Sequence, residues 1–530
     1  MVFLATFPLF FSPLTALSAP LSFTVNMSES VTVGTGGGTP RIAVDVGGVT
    51  RYASYASGSG GSALTFTYTP QEGDVDLDGV TVSSPLDLNG GTVTDLNGNA
   101  ITNLTFTPPN TTNVKVDYPS LSMDFINSDY ILSGTHYATL PSFLTAAGGT
   151  YARNSLGTYF DSSGNLQTVS NNVPRFDYDP TTHLAKGILI EEQRTNSTKY
   201  SEQMNNAWWT KAGLTVTADA VAAPDGTMTA DRIIESAANA QHYIFDGNSL
   251  TVSTAYSLNV FLKDNGRRYI QFAGAGLQAA NEAPVFDLQT GTVSLGATNT
   301  VLKSASITAL PNGWYRCAAN VVASGTAGFY IYLVNSSTYH GTNPSYLGDG
   351  SSGAYIWGAQ LEQGRFSTSY IQTTNAAVTR QADDLRVPTG AWYNQNSGAF
   401  YEYVTWYSAG GTTYPMFWRV DDTTNNNRWN AFYNLTGSSR GVDGYNTSAL
   451  QGGFSHASAV SESGKIAAAQ ALNNANAAYD GVLKTLDTSW APPTVTRLIL
   501  GQGVGAVRWS RQLKYYPARV ADTQLQLLTQ

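Results

Sequence analysis

Charge is scarce in this chain. Of its 530 residues, only 12% are Asp, Glu, Lys or Arg, against about 25% in an average soluble domain. Long surface helices rely on Glu/Lys pairs, and few are available here. Cysteine is nearly missing too. Cys317 stands alone, which excludes an intrachain disulfide and any cysteine-based zinc cluster. Basic residues are outnumbered, 28 against 37, for a net charge of −9; nucleic-acid binding, which needs a basic patch, is not expected. Long apolar runs are absent. A membrane span needs about 20 consecutive apolar residues, and the one apolar stretch, at the N-terminus, is cut by Pro8 and Pro13. No membrane insertion is expected.

Glycine (51 residues), Ser, Thr, Asn, Gln and 12% aromatics fill the space left by charge. Aromatic content this high argues against disorder. Neutral polar faces with many turn formers favour β-structure. The expected class is all-β: several antiparallel β-sandwiches in series.

Residues 1–20 hold no charge, and the first charged residue is Glu29. A signal peptide starts with a basic region, which is missing here. The segment reads as a strand-like apolar stretch buried against a partner chain, or else as the first strand of the first domain.

Four blocks follow. In residues 21–116, Leu21–Val25, Arg41–Val46 and Ala63–Tyr68 alternate apolar and polar. That is the period of half-buried strands, here with the spacing of an immunoglobulin-like sandwich. Residues 117–194 are a hairpin-rich connector. Phe160–Leu166 and Phe176–Thr182 each place an Asp where it can bond a turn backbone, and Phe286–Val293 in the next block does the same. Residues 195–384 and 385–530 are two further strand-rich blocks. Lys465–Ala478 is Ala-rich, a helical propensity, but Asn473-Asn474 and Asp480-Gly481 favour two strands with turns. The tail 522–528 is expected to form a short helix.

Particular motifs carry a family resemblance. Pro174-Arg175-Phe176-Asp177-Tyr178 and Gly187-Ile188-Leu189-Ile190-Glu191-Glu192-Gln193-Arg194-Thr195-Asn196 resemble a module of phage tail or virion proteins. Trp208-Trp209-Thr210-Lys211, Asn312-Gly313-Trp314-Tyr315-Arg316-Cys317 and Trp357-Gly358-Ala359-Gln360-Leu361-Glu362 resemble its jelly-roll carbohydrate-binding-like domain, ending at Val378-Thr379-Arg380-Gln381-Ala382-Asp383. Arg497–Gly501 and Lys514–Arg519 resemble a concanavalin A/laminin G-like domain. The resemblance implies a virion fibre or spike on the surface of a phage or phage-like particle, with no known catalytic residues. Residues 1–20 would then attach to other virion proteins. Host surface polysaccharide would be the ligand, and weak sugar sites gain strength in multiple copies, so a homotrimer is expected.

Candidate sites follow from residue chemistry. Asp74, Asp76 and Asp78 before Gly79 have the opening spacing of an EF-hand loop. Its twelfth position is Pro85, so no bidentate carboxylate closes it. On an extended strand the three carboxylates share a face and are candidates to collect calcium; a solvated strand edge is the plainer reading. Asp421-Asp422 with Asn425–Asn427 reads as a hairpin turn. All ten Trp lie after residue 207. Sugars stack on such rings, but rings are also core material. Trp314, Trp357 and Trp418 read as core. Trp208 is an extra ring beside Trp209 and a candidate for exposure. Trp392, Tyr393, Trp406 and Trp429, with Arg428 nearby, complete the carbohydrate-binding candidates.

No enzyme is expected. The five His show no HExxH spacing. The adjacent Glu191-Glu192 do not by themselves form a glycosidase pair. A host-binding spike leads; a purely structural decoration protein and a polysaccharide depolymerase are the alternatives.

Overall fold

The computed structural model describes residues 19–296, 299–341, 343–407, 414–434, 438–459, 461–501 and 507–530. Residues 1–18, the bulk of the expected attachment segment, lie outside the described residues; Ala19 and Pro20 are exposed. The chain is almost all β. Among the described residues its two α-helices are short, Leu140–Ala147 and Asp522–Leu528, and none is long and apolar enough to cross a membrane.

The first sandwich forms where alternation is clearest. Leu21–Asn26, Ala63–Tyr68, Val49–Ser57, Arg41–Val46 and Thr81–Val82 make its larger sheet in that order. Phe23, Val25, Ile42, Val44, Leu64 and Phe66 point inward to one core. Gly47 and Gly48, both at positive φ, make the two-residue turn that joins Arg41–Val46 to Val49–Ser57.

The remaining chain builds two sandwiches, nested rather than successive. One is continuous. Its sheets hold Leu214–Val221, Ala230–Glu235, Gly353–Gln363, Ala255–Asn265, Trp314–Val322 and Leu302–Ala309 on one side, and Thr210–Ala212 through Thr292–Ser294 on the other. The other sandwich is assembled from both flanks of this insertion. Its C-terminal strand Val507–Tyr516 pairs along one edge with Ser397–Tyr407, and along its other edge with Leu121–Asp124 and then Ala185–Glu191. In its second sheet, Thr150–Ala152 pairs with Asp384–Pro388. The stretch 117–194, expected as a connector, therefore supplies strands to both sheets of the C-terminal sandwich. Lys465–Ala478 forms strands, Ser461–Ala471 and Asn474–Tyr479, with Asn473 at positive φ in the turn.

The chain leaves the C-terminal sandwich after Glu191 and re-enters at Asp383. There Arg194–Asn196 pairs with Val378–Arg380. A buried ion cluster closes this neck. Arg175 bonds Glu191 at 2.7 Å and also pairs with Asp383; Arg153 reaches Asp383 at 3.2 Å, and Arg380 approaches Glu191 at 3.5 Å. Buried charges this close are tolerable only when paired and hydrogen-bonded. The Arg175, Glu191, Arg380 and Asp383 motif positions thus serve the neck.

Candidate functional site

Between the inserted and C-terminal sandwiches lies a cleft of about 500 Å³. Register explains its walls. On the inserted sandwich, Ser304 stands opposite Asn320, Ser306 opposite Ala318 and Thr308 opposite Arg316. These side chains share the cleft face, because alternate residues of a strand share a face. The intervening Cys317, Ala319 and Val321 enter the core. The opposing wall is the outer face of the C-terminal sandwich. Leu189, Trp509 and Thr405 align across three strands, and Glu191, Val507 and Tyr407 form the next row. The hairpin of Gly157–Phe160 and Leu166–Val169 borders the same space. Asp161 fixes its turn by accepting from the N–H groups of Ser163 and Asn165.

One polar group orients the Trp509 ring. Its Nε1 donates to Asp177 Oδ2 at 2.7 Å. Lys186 Nζ lies 3.6 Å from the same oxygen and 3.2 Å from the ring centroid, a cation–π arrangement. Burial pushes the Asp177 carboxyl up and the Lys186 ammonium down, each partly offset by the other. Arg316 is lowered by burial. Its guanidinium donates to Thr368 O, and its Nε is buried without a partner. Asn320 donates to Ser304 Oγ at 2.8 Å, while its amide oxygen has no partner. The walls thus combine aromatic rings, neutral hydroxyls and an amide with two cations.

Of the expected sugar-binding residues only Trp406 borders the cleft, and its ring is buried; the others lie elsewhere. Trp392, Tyr393, Trp406 and Trp429 are at most 7% exposed. Tyr393 stacks on Tyr515, Trp406 packs on Phe417 and Trp429 on Trp418. Their faces are covered by core neighbours and closed to a sugar. Trp392 and Tyr393 sit in a turn, so the opposite-face rule for strand neighbours does not separate them. Trp208 is half-buried edge-to-face on Trp209, also in a turn. Arg428 lies 3.6 Å over Tyr445 and donates to Asn425 O. Trp314, Trp357 and Trp418 are core.

The three aspartates do not converge. Asp74 accepts from Arg51 and the Tyr68 hydroxyl. Asp76 accepts from the N–H groups of Gly47 and Gly79. Asp78 accepts from Gln524 of the C-terminal helix at 2.6 Å. No group of three acidic, His or Cys side chains placed to hold a metal occurs among the described residues. In place of a calcium site, the aspartates shape a turn and dock the first sandwich on the last helix.

Sequence reasoning missed Asp177, Lys186, Arg316 and Trp509 as one site. Phe176-Asp177-Tyr178 reads as a hairpin and as part of a family motif, Arg316 as part of another, and Trp509 falls in a strand-rich block; no local signal joins them.

The fold and cleft define a modular all-β protein with one sandwich inserted into another. No protein-family model matches the chain, and no curated protein matches it. Several solved structures overlap it weakly. The binding domain of botulinum neurotoxin DC in complex with rat synaptotagmin II is 11% identical over 28% of this chain, with a TM-score of 0.24; the chain spans 40% of that structure. Mouse laminin α1 domains LG4-5 are 9% identical over 53% of this chain and 89% of theirs, TM-score 0.17. The CBM22-1-CBM22-2 tandem of Paenibacillus barcinonensis Xyn10C is 8% identical over 62% and 98%, TM-score 0.19. Scores this low define no shared fold, and the architecture rests on the sheets described above.

Proposed function

We propose that the protein binds a glycan in the cleft between its inserted and C-terminal sandwiches, without cleaving it. The observation that carries this reading is the pairing of walls. A face of Ser304, Ser306, Thr308 and Asn320 meets a face bearing Trp509 and Tyr407. Ligand sites combine apolar and aromatic walls with a few placed polar groups, in about 300–1,000 Å³. Glu191 is a poor general acid, because it is held in the neck cluster with its carboxyl down at about 2.

On this reading the protein is a spike or fibre on the surface of a phage or phage-like particle, and the glycan is host surface polysaccharide. Residues 1–20 attach it to other virion proteins, and a homotrimer raises avidity. The sequence motifs and the chain's low content of charged residues, 12%, support this assignment.

The test uses the full chain, because a cut at residue 195 would remove strands from the C-terminal sandwich. The folded protein is measured against bacterial surface polysaccharides and intact cells. Trp509→Ala and Ser306→Leu are expected to weaken binding about tenfold. If a folded, multivalent preparation binds no glycan, the reading fails, and a purely structural decoration protein takes its place. Release of oligosaccharides would make it a depolymerase instead.

A further inference from the structure

The cleft carries one cation without a counter-ion. Arg316 makes a single hydrogen bond among the described residues, to a main-chain oxygen, and no carboxylate lies within the 4.0 Å that defines an ion pair. The acids around it are all engaged. Glu191 serves Arg175 and the Ser369 N–H and hydroxyl. Asp177 serves Trp509 and Lys186. Glu362 accepts from the Thr368 N–H and hydroxyl. At the rim, Asp179 is occupied by the N–H groups of Thr181 and Thr182. Burial disfavours the Arg316 cation, and the charges of Glu362, Glu191 and Asp177, all beyond pairing distance, offset only part of that cost. A guanidinium presents a planar fork of donors matched to a carboxylate. Thr308 stands opposite Arg316 in register, with Ser306 two residues before it, where hydroxyls meet the rest of a sugar ring.

We infer that the ligand of this cleft is an acidic glycan, with a uronic-acid carboxylate seated on Arg316. The inference rests on the glycan-binding reading and narrows it.

The experiment is an oligosaccharide array in which every uronic-acid member is matched by its carboxyl-reduced, neutral form, with sulfated members alongside. The unaltered full chain is expected to bind acidic members at least about tenfold more tightly than their reduced partners, the weight of one charged hydrogen-bonded contact. Arg316→Gln is expected to lose about that factor toward the acidic members, with Arg316→Lys retaining part of it. Equal binding of the matched forms overturns the inference and leaves the glycan-binding reading standing. Binding confined to sulfated members also overturns it. Binding to no member overturns both. The matched sugars decide the question on the unaltered protein, even if the variants fail to fold.

Discussion

Glu191 and Asp383, far apart in sequence, meet across the neck: the Asp383 carboxylate accepts the Glu191 N–H at 2.8 Å, and Arg175 pairs with both side chains. Glu191 ends the strand that leaves the C-terminal sandwich, and Asp383 precedes the strand that re-enters it. Arg175 therefore bridges the two ends of the loop made by an entire inserted domain, with Arg153 and Arg380 beside it. Losing Arg175 removes the closest partner of both buried carboxylates. Arg175→Met is expected to cost about 3–5 kcal/mol, read as a lowered denaturation midpoint with both C-terminal sandwiches affected.

Acid should open the same neck. Burial alone would raise the Glu191 carboxyl; Arg380, Arg175 and Ser369 more than reverse this and hold it at about 2, below its usual 4.5. A depressed carboxylate contributes stability above its unfolded value and loses it as pH falls through its folded value. The window is pH 4.5 down to about 2, and the loss is about 3 kcal/mol. Thermal melts across this range should fall more steeply for the unaltered protein than for Glu191→Gln. Parallel pH profiles would count against this account of the cluster.

Nesting gives a sharper prediction about fragments. Residues 193–382 hold a complete pair of sheets and should fold alone with a cooperative melt. Residues 385–530 lack Leu121–Asp124, Thr150–Ala152 and Ala185–Glu191, so Val507–Tyr516 would expose an unpaired edge. This fragment should give no cooperative melt by circular dichroism. A well-dispersed amide NMR spectrum from it would contradict the nested assembly.

Local chemistry was legible in the sequence; long-range pairing was not. The alternation of Arg41–Val46, the Asp161 turn and the strands of Lys465–Ala478 depend on neighbours a few residues away, so composition and spacing reveal them. The pairing of Met123 with Leu513 leaves no local trace, and a run rich in hairpins looks like a connector wherever its strands go. The tryptophans show the same limit. Face assignment by alternation holds on strands, but Trp208 and Trp392 lie in turns. The cleft joins Asp177, Arg316 and Trp509 from three distant segments; two of them stand in family motifs, but no spacing links one segment to another.

Tryptophan accessibility separates the surface rings from the core. Trp208 and Trp509 are partly exposed, and the other eight are at most 3% exposed. Acrylamide should quench a minor fraction of the fluorescence. Trp208→Phe and Trp509→Phe together should abolish most of that fraction, whereas Trp429→Phe should leave it. Glycan binding should protect only the part contributed by Trp509. Protection that survives Trp509→Phe would place the ligand elsewhere.

Asp443 offers a pH effect of opposite sign. Burial pushes its carboxyl up to about 6, against the pull of Arg428, and its Oδ1 has no partner. A raised carboxylate destabilises the fold as pH rises from its unfolded value through its folded value. Asp443→Asn should therefore stabilise the protein at pH 8 by about 3 kcal/mol, with the gain vanishing near pH 4. A gain that is equal at both values would point to packing instead.

The first sandwich is held to the C-terminal one by polar contacts that the aspartates help to make. Gln524 accepts from the Leu77 N–H at 2.8 Å and donates to Asp78 at 2.6 Å. Asp117 accepts from Lys514 at 2.6 Å and from the Tyr516 hydroxyl at 2.8 Å. Gln524→Ala removes both of its bonds and should weaken docking by about 1–2 kcal/mol. Lys514→Met leaves Asp117 with the hydroxyl alone and should weaken it further. Both variants should expose the junction Tyr118-Pro119-Ser120, between the two sandwiches, to limited proteolysis while each sandwich keeps its own melt. Because Asp74 is tied to Arg51 and Asp76 to backbone N–H groups, millimolar calcium and EDTA should give the same melting temperature. A calcium-dependent rise that Asp76→Asn abolishes would mean these carboxylates exchange their protein donors for the ion.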